Sequence, residues 1–158
     1  MSLPRGIKNN NPLNIEFSKS NNWHGQLKYN KIIEPRFCRF SDTMWGYRCA
    51  AIILRKYINV YKCNTITKIV ERWAPSTDNN NTKAYIATVV KLSDVAADTV
   101  IKFDDMVTML RIMSAMTVVE CGNNWDPQRN NNLWDGLYKG YMMARSNTTD
   151  FESIDDAK

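Results

Sequence analysis

From Thr43 onward the apolar positions fall at helical spacing; before it they do not. Over residues 43–62, Trp45, Cys49, Ile52, Ile53, Lys56 and Tyr57 recur near one side, with Ser41 or Asp42 as the N-cap. Residues 65–73 predict a shorter helix carrying Ile66, Ile69, Val70 and Trp73, closed by Pro75. Residues 82–92 predict a third, with Tyr85, Ile86, Val89 and Val90 inward. A fourth runs from residue 103 or 104 to 120, with Asp104 and Asp105 in its first turn, where negative charge is favoured. Met106, Met109, Leu110, Met113 and Met116 cover much of its surface, so it belongs at the centre of a core with adaptable packing. A last helix fits residues 132–145, packing Trp134, Leu137, Tyr138 and Tyr141 back on the domain.

The stretch before Thr43 has a different pattern. N-N-N-P argues against regular structure before Pro12. Short extended pieces fit residues 14–17, 25–29 and 36–40, separated by S-K-S-N-N-W-H and N-K-I-I-E-P, and predict a small antiparallel sheet. The expected class is therefore mainly α with a small antiparallel β region. Residues 1–146 read as a single domain, and 147–158, polar and acidic, as a flexible C-terminal tail.

Composition narrows the function. A chain of 158 residues, 44% of them hydrophobic, can build one core. It has no 18-residue apolar run for a membrane span, and its start, M-S-L-P-R-G-I-K, lacks the apolar segment of a classical signal peptide. Residues 1–79 carry thirteen Lys or Arg against five acids; residues 80–158 carry eight against eleven. The positive half suits a polyanion, but no dense basic run or nucleic-acid motif marks a specific nucleic-acid binder. Cys38, Cys49, Cys63 and Cys121 match no zinc spacing and read as reduced and partly buried. His24, the lone histidine, sits in a polar turn and offers neither a metal site nor a triad. No phosphate loop, nucleotide signature, zinc-protease motif or serine elbow is present, so no cofactor and no metal is expected.

One carboxylate stands out. Glu120 lies where the apolar fourth helix gives way to C-G-N-N-W-D-P. A carboxyl at such a boundary is half buried, and partial desolvation is how a general acid keeps its proton near neutral pH. Its structural alternative is a helix-terminal glutamate facing solvent or pairing with an arginine. Glu71, in I-V-E-R-W, is the rival acid, with a salt bridge as its structural alternative. Asn side chains donate and accept, so the early cluster of Asn9, Asn10, Asn11 and Asn14 suits either N-acetyl groups or an Asx-rich turn. Trp23 and Trp125 are candidates for stacking on a sugar ring, while Trp45 and Trp73 read as core.

P-R-G-I-K-N-N-N-P-L-N-I at 4–15 resembles the R-G-I-R-N-N-N-P-G-N-I opening of phage and prophage lytic structural proteins. The likeness continues through N-N-W-H-G-Q at 21–26, E-P-R-F-C-R-F at 34–40, I-V-E-R-W-A-P at 69–75 with T-K-A-Y-I at 82–86, and A-M-T-V-V-E-C-G at 115–122. Leu13, Val119 and Cys121 stand where that family has glycine, histidine and asparagine. The resemblance implies a lysozyme-like α+β fold. It also implies peptidoglycan glycan-strand cleavage by a muramidase or lytic transglycosylase, with Glu120 as general acid and base. Asn11, Asn14, Thr82 and Tyr85 fall in the matched blocks and become substrate-binding candidates beside Trp23 and Trp125. Expected partners are bacterial peptidoglycan and phage structural proteins. The expected setting is a phage virion, or the bacterial cytoplasm before release, with action in the periplasm or cell wall. Two alternatives remain: a noncatalytic cell-wall-binding or virion structural domain, and a peptidoglycan endopeptidase.

Overall fold

The computed structural model describes residues 2–146; the expected C-terminal tail lies outside them. In chain order the helices are α1 (Arg5–Lys8), α2 (Thr43–Asn59), α3 (Ile66–Trp73), α4 (Thr82–Ser93), α5 (Met106–Cys121) and α6 (Asn131–Ser146). Single 3₁₀ turns form at Ser76–Asp78, Asn123–Trp125 and Pro127–Arg129.

The helix starts follow from local chemistry. Asp42, Thr65, Asn81 and Asp105 each accept a backbone N–H of the first turn, at Met44, Lys68, Ala84 and Thr108 respectively. Pro75 follows Ala74, the C-cap of α3, and Asp94 leaves α4 in the left-handed conformation. α5 is apolar on nearly every side and is the central helix: Met109, Ile112, Met113, Ala115 and Met116 are all essentially inaccessible. α4 packs along it, and α6 packs against α2. The α2–α6 crossing depends on small residues. A Cβ on Gly140 would lie 2.6 Å from both Arg48 N and Met44 O. Tyr141 donates its hydroxyl to Phe103 O at 2.6 Å, and Tyr47 shares a 2.8 Å hydrogen bond with Thr117, tying α6 and α2 to the loop before α5 and to α5 itself.

The expected sheet is not there. Among the described residues no β-strand forms. The extended pieces meet only as two isolated antiparallel bridges, Glu16 with Phe37 and Gln26 with Phe40. The reason lies in the asparagines. Asn10 and Asn14 adopt left-handed backbone (φ 52° and 54°), which breaks an extended run on both sides. Asn11, fully buried, then takes the backbone groups a ladder would use. Its Nδ2 donates to Ile15 O and Cys38 O, and its Oδ1 accepts from Ile15 N, all at 2.9 Å. The same segment corrects a second expectation, because α1 forms before Pro12. Its Gly6 fits where a Cβ would press on Asn11 O and Cys121 Sγ, both at 2.9 Å. The lysozyme-like α+β class is thus replaced by a helical one, with irregular N-terminal loops laid over the end of α5.

Candidate functional site

Those loops build one wall of the site and α4 the other. At the C-terminal end of α5, Gly122 (φ 103°) stops the helix and leaves Glu120 half-buried in the last turn. Cys121 donates its thiol to Pro12 O at 3.3 Å, which fixes the turn carrying Asn14 against this helix end. Asn14 Nδ2 donates to Glu120 Oε1 at 2.9 Å. From the other side Tyr85, in the first turn of α4, donates its hydroxyl to Glu120 Oε2 at 2.9 Å. Each carboxylate oxygen therefore has its own neutral donor. Tyr85 stays protonated: burial, then the Glu120 charge and the hydrogen bond to it, hold the phenol well above its usual range. Burial, with the Glu120 charge second, likewise pushes the Cys121 thiol up to about 12, so Cys121 is neutral.

Two hollows meet at Glu120 and Asn80. One, about 490 Å³, is lined by Asn79, Asn81, Tyr85, Thr88 and Asn123. The other, about 170 Å³, is lined by Asn14, Arg36, Arg72, Trp73 and Asp78. The loop between α3 and α4 shapes both. Asn79 is left-handed (φ 63°), Asn80 Nδ2 donates to Pro75 O at 3.0 Å, and Asn81 caps α4. The result is a polar groove rich in amides, with Glu120 where the two hollows meet and Glu16 and Asp78 on the lining of the smaller one.

The remaining candidates fall elsewhere. Asn11 is buried scaffold. Thr82 donates its hydroxyl to Ala74 O at 2.6 Å, pinning the start of α4 to the end of α3. Trp23 is buried in the core cluster. Trp125 is half-buried in the 3₁₀ turn after α5, and it is its neighbour Asn123 that lines the groove. Glu71 is exposed on α3 and lines neither hollow. Glu34 is buried but serves the scaffold. Arg5 grips it with two guanidinium hydrogen bonds, 3.0 and 2.6 Å, and Asn9 Nδ2 and the backbone N–H groups of Arg36 and Phe37 add three more. Sequence reasoning missed Asn79, Asn80, Asn81, Asn123, Arg36 and Arg72. The N-N-N run at 79–81 carried the signal, since amides just ahead of a helix bearing Tyr85 must lie near its first turn.

This arrangement overturns the muramidase or lytic transglycosylase reading. That reading needed a lysozyme-like α+β frame, with a sheet facing the helical acid across the cleft. Among the described residues there is no sheet, and the wall opposite Glu120 is an asparagine-capped helix and a loop. The glycosidase assignment, and the bacteriolytic and lysozyme-like descriptions that go with it, fall with that frame. Among the described residues no group of three or more His, Cys, Asp or Glu is placed to hold a metal ion, and no helix is long and apolar enough to cross a membrane.

No family model matches the chain. Protein P5 of Pseudoalteromonas phage PM2 is 34% identical to it over 120 residues, covering 76% of this chain and 72% of that protein. At that identity over that share of both chains, the chain belongs to the family of phage PM2 Protein P5.

Proposed function

We propose that residues 1–146 form a noncatalytic wall-binding domain of a phage particle, which holds bacterial peptidoglycan glycan in the groove around Glu120. The carrying observation is the clamped carboxylate. Asn14 and Tyr85 orient both oxygens of Glu120 where two amide-lined hollows meet. A carboxylate accepts from sugar hydroxyl and amide N–H groups, and a donor on each oxygen fixes the plane in which it meets them. Asn79 and Asn123 add amide donors and acceptors of the kind N-acetyl groups match, held in place by a loop that Asn80 and Asn81 fix through their bonds to Pro75 O and Ala84 N. The basic half of the chain favours approach to an anionic wall. Kinship with a phage protein supports phage structural proteins as further partners and a virion setting.

Sedimentation with purified bacterial sacculi tests the reading. Wild-type chain should pellet with the sacculi and leave them intact, and Glu120→Ala should pellet markedly less at unchanged fold. Failure of the wild type to pellet would refute wall binding. Release of soluble glycan fragments would refute the noncatalytic assignment.

A further inference from the structure

The turn between the second and third extended pieces displays apolar side chains to solvent. Ile32 is 89% exposed and Ile33 61%, and Leu27 and Tyr29 are exposed behind them. Nothing about this display is loose. Asn30 Oδ1 accepts from Ile32 N at 2.9 Å, and Asn30 O accepts from Ile33 N at 3.1 Å and Glu34 N at 3.0 Å. Tyr29 stacks on Phe17 (centroids 4.1 Å apart) and donates its hydroxyl to Pro35 O at 3.0 Å. Arg39 donates to Lys28 O at 2.8 Å, joining the two arms. At the base, Glu34 is locked to Arg5, Asn9 and two backbone N–H groups. A fixed turn presenting two adjacent isoleucines cannot bury them by local collapse.

The charges around the tip have one sign. Lys28 and Lys31 bracket it, both exposed and without an ion-pair partner among the described residues. Over residues 16–39, Lys19, Lys28, Lys31, Arg36 and Arg39 face two acids, and both are spent away from the tip: Glu16 on Arg36 at 2.6 Å and Glu34 inside the scaffold on Arg5. We infer that the turn at 27–33 is a docking site for an anionic phospholipid surface, with Ile32 and Ile33 entering the boundary between headgroups and acyl chains and Lys28 and Lys31 on the phosphates. Two features favour a lipid surface over a protein one. The tip carries its backbone N–H groups already bonded to Asn30, which a segment entering a lipid boundary requires. An aromatic ring with a polar end, Tyr29, sits behind the apolar tip and between the cations, the order found at membrane interfaces.

Co-sedimentation of the full chain with vesicles tests this. Phosphatidylcholine vesicles containing phosphatidylglycerol should bind the wild type at low salt, pure phosphatidylcholine vesicles should not, and added salt should release the protein. Ile32→Asp with Ile33→Asp should weaken binding roughly tenfold or more, and Lys28→Glu with Lys31→Glu should do the same. All four positions are exposed, so circular dichroism and thermal melting should not change. No binding of wild type to the anionic vesicles would overturn the inference. So would binding that the isoleucine variant retains in full, which would assign it to diffuse basic charge. Self-association of the wild type that the isoleucine variant abolishes, with no vesicle binding, would assign the patch to a second copy of the chain and also overturn it.

Discussion

Asn14 and Glu120 are 106 positions apart in the chain, yet Asn14 Nδ2 donates to Glu120 Oε1 at 2.9 Å. This bond joins the irregular N-terminal loops to the end of the central helix, and Tyr85 completes the clamp from α4. If the groove recognises glycan through an oriented carboxylate, loosening the clamp weakens binding without unfolding the chain. Asn14 is left-handed (φ 54°), so glycine is the substitution that removes the amide and keeps the backbone. Asn14→Gly and Tyr85→Phe should each weaken binding of purified glycan fragments by about 1–2 kcal/mol, close to tenfold, in calorimetric titration. Wild-type affinity in both variants would show that the clamp does not orient a binding group.

The Glu34 cluster makes an acid-dependent contribution to stability. Burial alone would raise this carboxyl, but the hydrogen bonds from Arg5, Phe37 N, Arg36 N and Asn9 outweigh it and bring it from the ordinary 4.5 down to about 2. A group lowered on folding stabilises the fold fully above its unfolded value and loses that contribution as pH falls towards its folded one. Wild-type unfolding free energy should therefore drop by about 3 kcal/mol between roughly pH 5 and pH 2 on account of Glu34. Glu34→Gln should be less stable at neutral pH and markedly flatter across that window. Urea titrations at several pH values decide it. Equal slopes in the two proteins would refute the assignment.

What the sequence showed and what it hid divide along physical lines. Helix starts were legible because capping is local: Asp42, Thr65, Asn81 and Asp105 stand at the predicted edges or within a few residues of them. The burial of α5 was legible from its all-round apolar surface. The extended pieces were found near residues 16, 26 and 37–40, but extended backbone becomes a sheet only if its N–H and C=O groups meet another strand. Here the Asn11 amide intercepts them, and side-chain capture of that kind has no period to detect. At the site, Glu120 could be singled out as a carboxylate at a helix end. The amides of Asn79 and Asn80 come beside it only through the packing of α4 on α5, which no local pattern encodes.

The α2–α6 crossing should be intolerant of a single methyl group. At Gly140 an added Cβ would lie 2.6 Å from Arg48 N and Met44 O, and 2.8 Å from Tyr47 Cβ. Two of these atoms are backbone of a buried helix and have little room to yield. Gly140→Ala gains helix propensity but must force the helices apart, so the net cost should be about 1–3 kcal/mol, lowering Tm by roughly 3–10 °C. Lys139→Ala, next in sequence, breaks only a solvent-exposed pair with Asp135 and should melt close to wild type. A Gly140→Ala protein as stable as wild type would mean the helices can separate freely at this point.

Thiol reactivity reports separately on how the N-terminal loops seal the end of α5. All four cysteines are free, and Cys38, Cys49 and Cys121 are buried while Cys63 is partly exposed. Burial pushes Cys38 and Cys121 up to about 12 and holds Cys49 well above its usual range, so none of the three is a thiolate at neutral pH. An aromatic disulfide reagent should therefore modify one thiol per folded chain quickly, at Cys63, and the other three only after denaturant is added. Cys121 is the informative case, because its thiol is covered by Pro12 and lies close to Gly6. Gly6→Ala should lift α1 away from the helix end and make Cys121 the second thiol to react, detectable by mass spectrometry of the labelled peptides. A Gly6→Ala protein whose Cys121 stays protected would show that the loop closes over α5 without needing the glycine.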